Sequence, residues 1–217
     1  MFQTGLSLGD LGFLLKGAGM TLLITAIAVT GGTLLGALFG VIRSQFSPWL
    51  MAPLTFILDV FRSVPLLIQL ILGNAFQSIS GLNWPPFTTS CVILSLYTSA
   101  YCTEVVRGAI AAVPATTRRA ARSLGLSWWQ DMVHIVFPMA LRVGLPSWIG
   151  LTLGVMKDTS LVLWLGIIEL LRSSQILVTR LQEPMFILLV TGAIYFLLSF
   201  PIARLGGRLE KRWREND

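Results

Sequence analysis

The chain has 217 residues, of which 54% are apolar and 12% charged, with a net charge of +6. A soluble domain carries about twice that share of charge, and the mean hydropathy of +0.77 points instead to one integral membrane domain. At ~20 residues per crossing the length allows about five spans, and the basic balance is what membrane proteins leave on their cytoplasmic side, not a nucleic-acid footprint.

Residues 1–16 mix Phe2, Leu6, Leu8, Leu11, Phe13 and Leu14 with Asp10 and Lys16. With no basic segment ahead of an apolar core, a cleaved signal peptide is not expected, and the pattern predicts an interfacial helix. The first span is predicted over residues 17–42, where no charge occurs. Gly32, Gly36 and Gly40 stand four apart and present a face without side chains, suited to close helix contact in a bilayer. A polar turn at residues 43–48 leads to a second span over 49–76, interrupted by Asp59, Arg62 and Pro65. Asp59 and Arg62 are three apart and can pair on one helix face, or can serve a pathway, since charge at membrane depth faces a cavity or a partner. Pro85-Pro86 opens a third span over 85–112, in which Glu104 and Arg107 repeat the i, i+3 spacing. Cys91 and Cys102 fall on this helix about 16 Å apart at ~1.5 Å per residue, too far to bond with each other. They read as small packing residues.

Between spans three and four lies a short amphipathic helix, residues 114–127. Pro114 suits a first helical turn, and Thr116 and Thr117 can accept from the free N–H groups there. Ala120, Ala121 and Leu124 fall on one face, with Arg118, Arg119 and Arg122 on the other. Gly125 stands where a left-handed C-terminal cap needs a residue without Cβ, and Leu126 follows it. Such an element, held between spans, is shaped to dock. The fourth span covers 132–156, with Pro138 and Pro146 interrupting its ladder. Lys157, Asp158, Thr159 and Ser160 then form a polar island. Apolar pieces around Glu169 and Arg172 are too short to cross, and the last span covers 184–203. The tail, 204–217, carries Arg204, Arg208, Lys211, Arg212 and Arg214 and is predicted to join no core.

If the short helix and the tail share one side, that side holds Arg43, Arg62, Arg107, Arg118, Arg119, Arg122, Arg142 and the five tail cations, twelve of the sixteen Lys and Arg. Basic residues stay with the cytoplasm, so the N-terminus is expected outside and the C-terminus inside. No lysine follows a glycine, so there is no phosphate-binding loop of the G-x-x-x-x-G-K-[S/T] type. His134, the single histidine, has no cluster of ligand-type residues beside it, and no Ser–His–acid arrangement is visible. No enzyme chemistry is expected of this chain.

The segment Arg119-Ala120-Ala121-Arg122-Ser123-Leu124-Gly125-Leu126, with Phe137-Pro138 beyond it, resembles the E-A-A-x-x-x-G loop of permease subunits of ATP-binding-cassette importers. Glu104-Val105-Val106-Arg107-Gly108, Lys157-Asp158-Thr159-Ser160-Leu161 and Phe61-Arg62-Ser63-Val64-Pro65-Leu66-Leu67 resemble words of the polar amino acid uptake class. The likeness runs from about residue 14 to residue 213. It implies an all-α permease of the type I importer fold, whose loop helix couples to a separate ATPase subunit that binds ATP and magnesium. This chain would then hold no cofactor or metal. It also implies a second permease, an extracytoplasmic solute-binding protein, and alternating access in the bacterial inner membrane. Two departures stand out: Arg119 replaces the acidic residue that names the loop, and Thr116-Thr117 replace Gly-Gln. Either the partner's cleft is complementary to Arg119 or docking is altered, and one half of a heterodimer would tolerate the change more easily. Residues 157–160 lie about 24 Å up the fourth span from Ala140 at ~1.5 Å per residue. There Lys157 and Asp158 could meet the carboxylate and ammonium of a solute, or pair with each other to hold a gate. A proton- or ion-coupled secondary transporter is the alternative, although five spans show no repeat.

Overall fold

The computed structural model describes residues 5–214 and is helical throughout its ordered elements. Helix α1 spans Leu8–Gln45, α2 Pro48–Ser63, α3 Leu66–Ile79 and α4 Pro86–Ala111. Two short helices follow, α5 (Ala115–Ser123) and α6 (Trp128–Asp131). A π turn at Met132–Val136 joins α6 to α7 (Phe137–Asp158), and a 3₁₀ turn at Thr159–Leu165 leads to α8 (Leu170–Leu181) and α9 (Pro184–Arg214).

Helix α1 is one rod where an interfacial helix followed by a separate span was expected. Ser7 caps it, its hydroxyl accepting from the Asp10 N–H while the Asp10 carboxylate accepts from the Ser7 N–H, which closes a capping box. Gly17, at the expected break, is not a break. A Cβ there would lie 2.9 Å from the Glu169 carbonyl oxygen, so the glycine lets α8 approach. The Gly32, Gly36 and Gly40 face is used as its spacing suggests. It packs on α4, where a Cβ on Gly36 would lie 2.5 Å from Cys102 Cβ and one on Gly40 2.7 Å from Val106 Cβ. Side-chain-free approach of this kind lets two helices gain dispersion contacts along their whole length.

The predicted second span is two helices, α2 and α3, bent by 111° at Val64-Pro65. Pro65 has no N–H and disfavours helical geometry in the residue before it, and the Gln69 side-chain amide closes the gap by donating to the Phe61 and Val64 carbonyls at 2.8 and 2.7 Å. Three segments, Leu8–Gln45, Trp128–Leu165 and Pro184–Trp213, are each long and apolar enough to cross a membrane, and the bent pair makes a fourth candidate. Helix α4 is long but richer in Ser and Thr. It lies at the centre, with Thr89, Ser90, Thr98, Ser99 and Thr103 buried against protein, so its polar side chains need not face lipid. Ser95 and Thr103 hydroxyls return to the carbonyls four residues back at 2.7 Å, which satisfies them inside the helix.

Among the described residues three clusters form the core. Ile24, Ala28, Leu66, Leu70, Leu94 and Val162 join α1, α3, α4 and the 3₁₀ turn; Leu14, Leu170, Leu177 and Ile187 join α1, α8 and α9. Ala109, Val113, Met132, Val136 and Ala140 seat the end of α4 on the π turn and the start of α7. The π turn has a local cause. Pro138 cannot donate and its ring crowds the carbonyl four residues back, and widening the preceding turn lets the Phe137 N–H reach the Met132 carbonyl instead. The fourth span therefore begins at Trp128, not residue 132, and continues unbroken to Asp158. The tail differs from expectation as well. Helix α9 continues to Arg214, and Gly206 packs against Ile149 of α7, where a Cβ would sit 2.9 Å from its Cδ1. Residues 215–217 of the predicted tail lie outside the described residues.

Candidate functional site

The predicted docking helix is present as α5, shorter than residues 114–127 and capped differently. Pro114 is its N-cap, and neither Thr116 nor Thr117 makes a side-chain cap bond. With Pro114 in that place the threonines already lie inside the first turn, past the position from which a hydroxyl reaches the free N–H groups. Its C-terminus stops as the glycine suggests. Gly125 has φ +84°, the Leu126 N–H donates to the Ala121 carbonyl at 3.2 Å and the Gly125 N–H to Arg122 at 3.0 Å, a Schellman closure. The small face is only half used: Ala121 is buried, while Ala120 is exposed and Leu124 is 82% exposed. Arg119 and Arg122 point outward beside Leu124. Arg118 turns inward, and its Nε donates to Asp131 Oδ2 at 3.1 Å. The surface left free is basic, with one large apolar side chain.

A second group of charges gathers on one face of α4. Glu104 and Arg107 pair as their spacing suggests, Nη2 and Nε donating to Oε2 at 2.8 and 2.9 Å. Asp59 and Arg62 also meet, but only at 3.4 Å and in an exposed setting. The larger feature is that Glu104 joins both groups. Arg62 Nη1 approaches Oε1 at 3.3 Å, and Arg43, from the end of α1, donates to the same oxygen. One carboxylate thus gathers three guanidinium groups from α1, α2 and α4. Above it Tyr101 donates to the Arg62 carbonyl at 3.1 Å and lies against Tyr97, with ring centroids 4.9 Å apart. Residues 97, 101 and 104 recur at four and three, so they line one face of α4.

The polar island divides. Lys157 is exposed and Asp158 half-buried, and among the described residues no ion pair joins the two. Asp158 lies within electrostatic reach of Tyr97. Thr159 is buried and donates to the Met156 carbonyl at 2.7 Å, so it closes the helix end, and Ser160 is half-buried. Asp158, Tyr97, Tyr101, Arg62 and Glu104 make a discontinuous polar track. By contrast, the groove of about 710 Å³ between α1, α4 and the α6–α7 rod is lined by Val41, Val106, Met132, Val136 and Leu145. Two of its few polar groups bond each other, Trp148 Nε1 donating to Thr33 Oγ1 at 2.8 Å, and no charged side chain lines it, so it offers a zwitterion no ionic partner.

The partners of several charged residues are not apparent from the sequence. Glu169 is fully buried and caps α8, accepting from the Leu171 and Arg172 N–H groups at 2.8 and 2.7 Å. The Tyr195 and Thr21 hydroxyls donate to it at 3.2 and 3.4 Å. Asp10 meets Arg180, Arg43 meets Glu104, and Asp131 meets Arg118. His134 is exposed and within 3.0 Å of the Gln130 carbonyl through Nδ1.

Residues 32–215 match the family described as the binding-protein-dependent transport system inner membrane component. The chain belongs to that family. It is a permease of the amino-acid class of ATP-binding-cassette transporters. It is similar to the probable amino-acid ABC transporter permease protein YckA of Bacillus subtilis, 32% identical over 98% of this chain and 94% of the relative. The glutamine transport system permease protein GlnP of Escherichia coli is 30% identical, covering 93% of each chain. The glutamate/aspartate import permease protein GltK of Escherichia coli is 31% identical, covering 94% of each. Among solved structures, an amino acid ABC transporter crystallised with histidines superposes with a TM-score of 0.84 at 28% identity, over 93% of this permease and 94% of that chain. The MetNI methionine transporter in an inward-facing conformation superposes with a TM-score of 0.83 at 17% identity, over 95% and 99%, which shows the shared fold. The expected all-α type I permease architecture is therefore the one observed.

Proposed function

We propose that this permease carries a polar amino acid into the cytoplasm, driven by ATP hydrolysis on a separate subunit that docks on α5. The observation that carries the reading is the geometry of α5: a separate short helix with a closed C-terminus, its outer face free, set between the ends of α4 and the α6–α7 rod. ATP and magnesium belong to the docked ATPase, and this chain supplies no catalysis. Arg119 and Arg122 on the free face favour a partner cleft bearing carboxylates around an apolar seat for Leu124, since like charges across an interface are strongly unfavourable. The inverted sign at Arg119 favours pairing with a second, different permease. The basic α5 and α9 ends lie in the cytoplasm and the N-terminus lies outside, following the bias of Lys and Arg.

The polar track gives the solute its route. Tyr97, Tyr101 and Asp158 offer ring faces and a carboxylate to an ammonium group, Lys157 offers a cation to a carboxylate, and the Glu104 cluster closes the far end. Nucleotide-driven closure of the ATPase pair moves α5 and the α6–α7 rod between two arrangements, which is alternating access. An extracytoplasmic binding protein delivers the solute. Glutamine, glutamate and aspartate, named for the relatives, set the class to screen. The test is affinity capture of this chain from its native membranes with mass spectrometry of co-purifying proteins. An ATPase subunit, a second permease and a binding protein are expected. Capture of the chain alone, with uptake that survives ATP depletion while a proton gradient persists, would instead identify a secondary transporter.

A further inference from the structure

Helix α5 is fastened to the rest of the molecule at few points. Ala121 is the only residue of the helix that is buried, and the helix packs against α6 and the π turn. Its one described ion pair is Arg118 with Asp131. That pair is unusual in its burial: the Asp131 side chain is fully enclosed and Arg118 keeps 23% of its exposure. Oδ2 takes the guanidinium, while Oδ1, also buried, has no hydrogen-bond partner. Removing the guanidinium would leave a buried carboxylate with no charge partner, the costliest state an ion pair can reach. Asp131 is also the last residue of α6, whose backbone continues through the π turn into α7 without a non-helical residue.

We propose that Arg118 and Asp131 are positioning residues that bind α5 to the α6–α7 rod, so that any displacement of the docking helix reaches α7 as the motion of one rigid piece. The inference rests on α5 being the ATPase docking helix. Other links are softer. The chain between Leu124 and Ser127 is a loop, and the Trp128 Nε1–Gln45 Oε1 bond at 3.0 Å is exposed and ties α6 to α1, not to α5. Without the ion pair, α5 could tilt on Ala121 while α7 stayed still.

The experiment uses the complex purified with its ATPase subunit and binding protein, reconstituted in vesicles and given a radiolabelled mixture of the twenty amino acids. Three variants are compared with the parent: Arg118→Gln, Asp131→Asn, and the exchange Arg118→Asp with Asp131→Arg. The readout is ATP hydrolysed per amino acid accumulated, with ATPase co-purification measured beside it. Single variants are expected to retain the ATPase subunit and to raise the ratio on the order of 3- to 30-fold, the range over which contacts along a coupling route act. The exchange should bring the ratio back to within about threefold of the parent's. A pair that merely folds the loop would alter assembly or yield and leave the ratio of the assembled complex alone, so an unchanged ratio in both single variants overturns the proposal. If the single variants assemble poorly, the exchange decides: recovery of assembly and ratio upholds the proposal, and recovery of assembly with a raised ratio overturns it. A parent chain that brings down no ATPase, or accumulates no amino acid, overturns the importer reading on which the proposal stands.

Discussion

Glu104 holds three helices together, and removing its charge should cost more than removing any one of its partners. In Glu104→Gln the side chain keeps its shape and one acceptor oxygen, but the two-nitrogen contact with Arg107 and the shared contacts with Arg43 and Arg62 lose their anion. Hydrogen bonds to a charged group contribute about 1.5–3 kcal/mol each when buried. Glu104 keeps 23% of its side-chain exposure, Arg62 34% and Arg107 42%, so solvent screening reduces the outer pairs to well under ~1 kcal/mol. Arg43, at 11%, is the partner with most to lose. A sum of about 2–3 kcal/mol follows, including the mutual repulsion of the guanidinium groups, of which, among the described residues, Arg62 alone keeps a carboxylate beside it, that of Asp59 at 3.4 Å. For a chain of this size each kcal/mol lowers the midpoint by about 2–4 °C, which predicts a fall of roughly 4–12 °C. The assay is the thermal midpoint of the detergent-solubilised permease, followed by loss of its monodisperse chromatographic peak. Arg43→Gln should cost about 1 kcal/mol, because Arg62 and Arg107 still neutralise Glu104, and Arg62→Gln less than that. A fall below ~2 °C for Glu104→Gln, or a larger fall for Arg43→Gln, would refute the picture of one carboxylate serving three cations.

Three further outcomes can be checked. Gly36→Val places carbon where Cys102 Cβ and the Ser99 carbonyl already sit, and should destabilise by about 1–3 kcal/mol, seen as a lower thermal midpoint. Glu169→Ala removes the α8 cap and strands the Tyr195 and Thr21 hydroxyls, for about 3 kcal/mol, whereas Glu169→Gln keeps an acceptor and should cost about 1 kcal/mol. The same midpoint measurement separates the two. Arg119→Glu combined with Arg122→Glu should weaken capture of the ATPase subunit at least about tenfold and reverse its salt dependence; unchanged capture would show that the cleft is not acidic.

Much of this architecture is readable from local pattern. The glycine spacing of α1 forecasts its contact with α4 because a four-residue period is a helix face, and Gly125 forecasts the end of α5 because only glycine adopts that φ freely. What local pattern could not supply is partnership at a distance. Nothing near Asp131 or Glu169 in the sequence names the groups they meet: Arg118 lies 13 residues from the former, and the latter meets Thr21 and Tyr195, 148 and 26 residues away. Gly17 was open to the opposite error: a residue that weakens a helix locally sits here because a neighbouring backbone passes close by. Thr116 and Thr117 have the right chemistry for caps in the wrong register, since the proline ahead of them takes the N-cap position. The tail is charged enough to suggest a free end, yet one missing Cβ at Gly206 is enough to seat it on Ile149.

The stripe of Gly32, Gly36 and Gly40 against Thr98, Cys102 and Val106 has a property that neither helix shows alone. Both partners repeat every four residues, so the contact is periodic, like the teeth of two racks, and sliding one helix by four residues, about 6 Å, offers much of the same fit again. Such an interface supplies adhesion but does not choose its own alignment. The choice falls to aperiodic groups: the Arg43–Glu104 pair fixes one end of α1 on α4, and the Thr21 hydroxyl, bonded to Glu169 and the Leu170 N–H, fixes the other part of α1 on α8. A helix pair that is smooth along its contact and pinned once directly and once through a third helix keeps one alignment among several near-equivalent ones, and loses that uniqueness as soon as a pin is withdrawn.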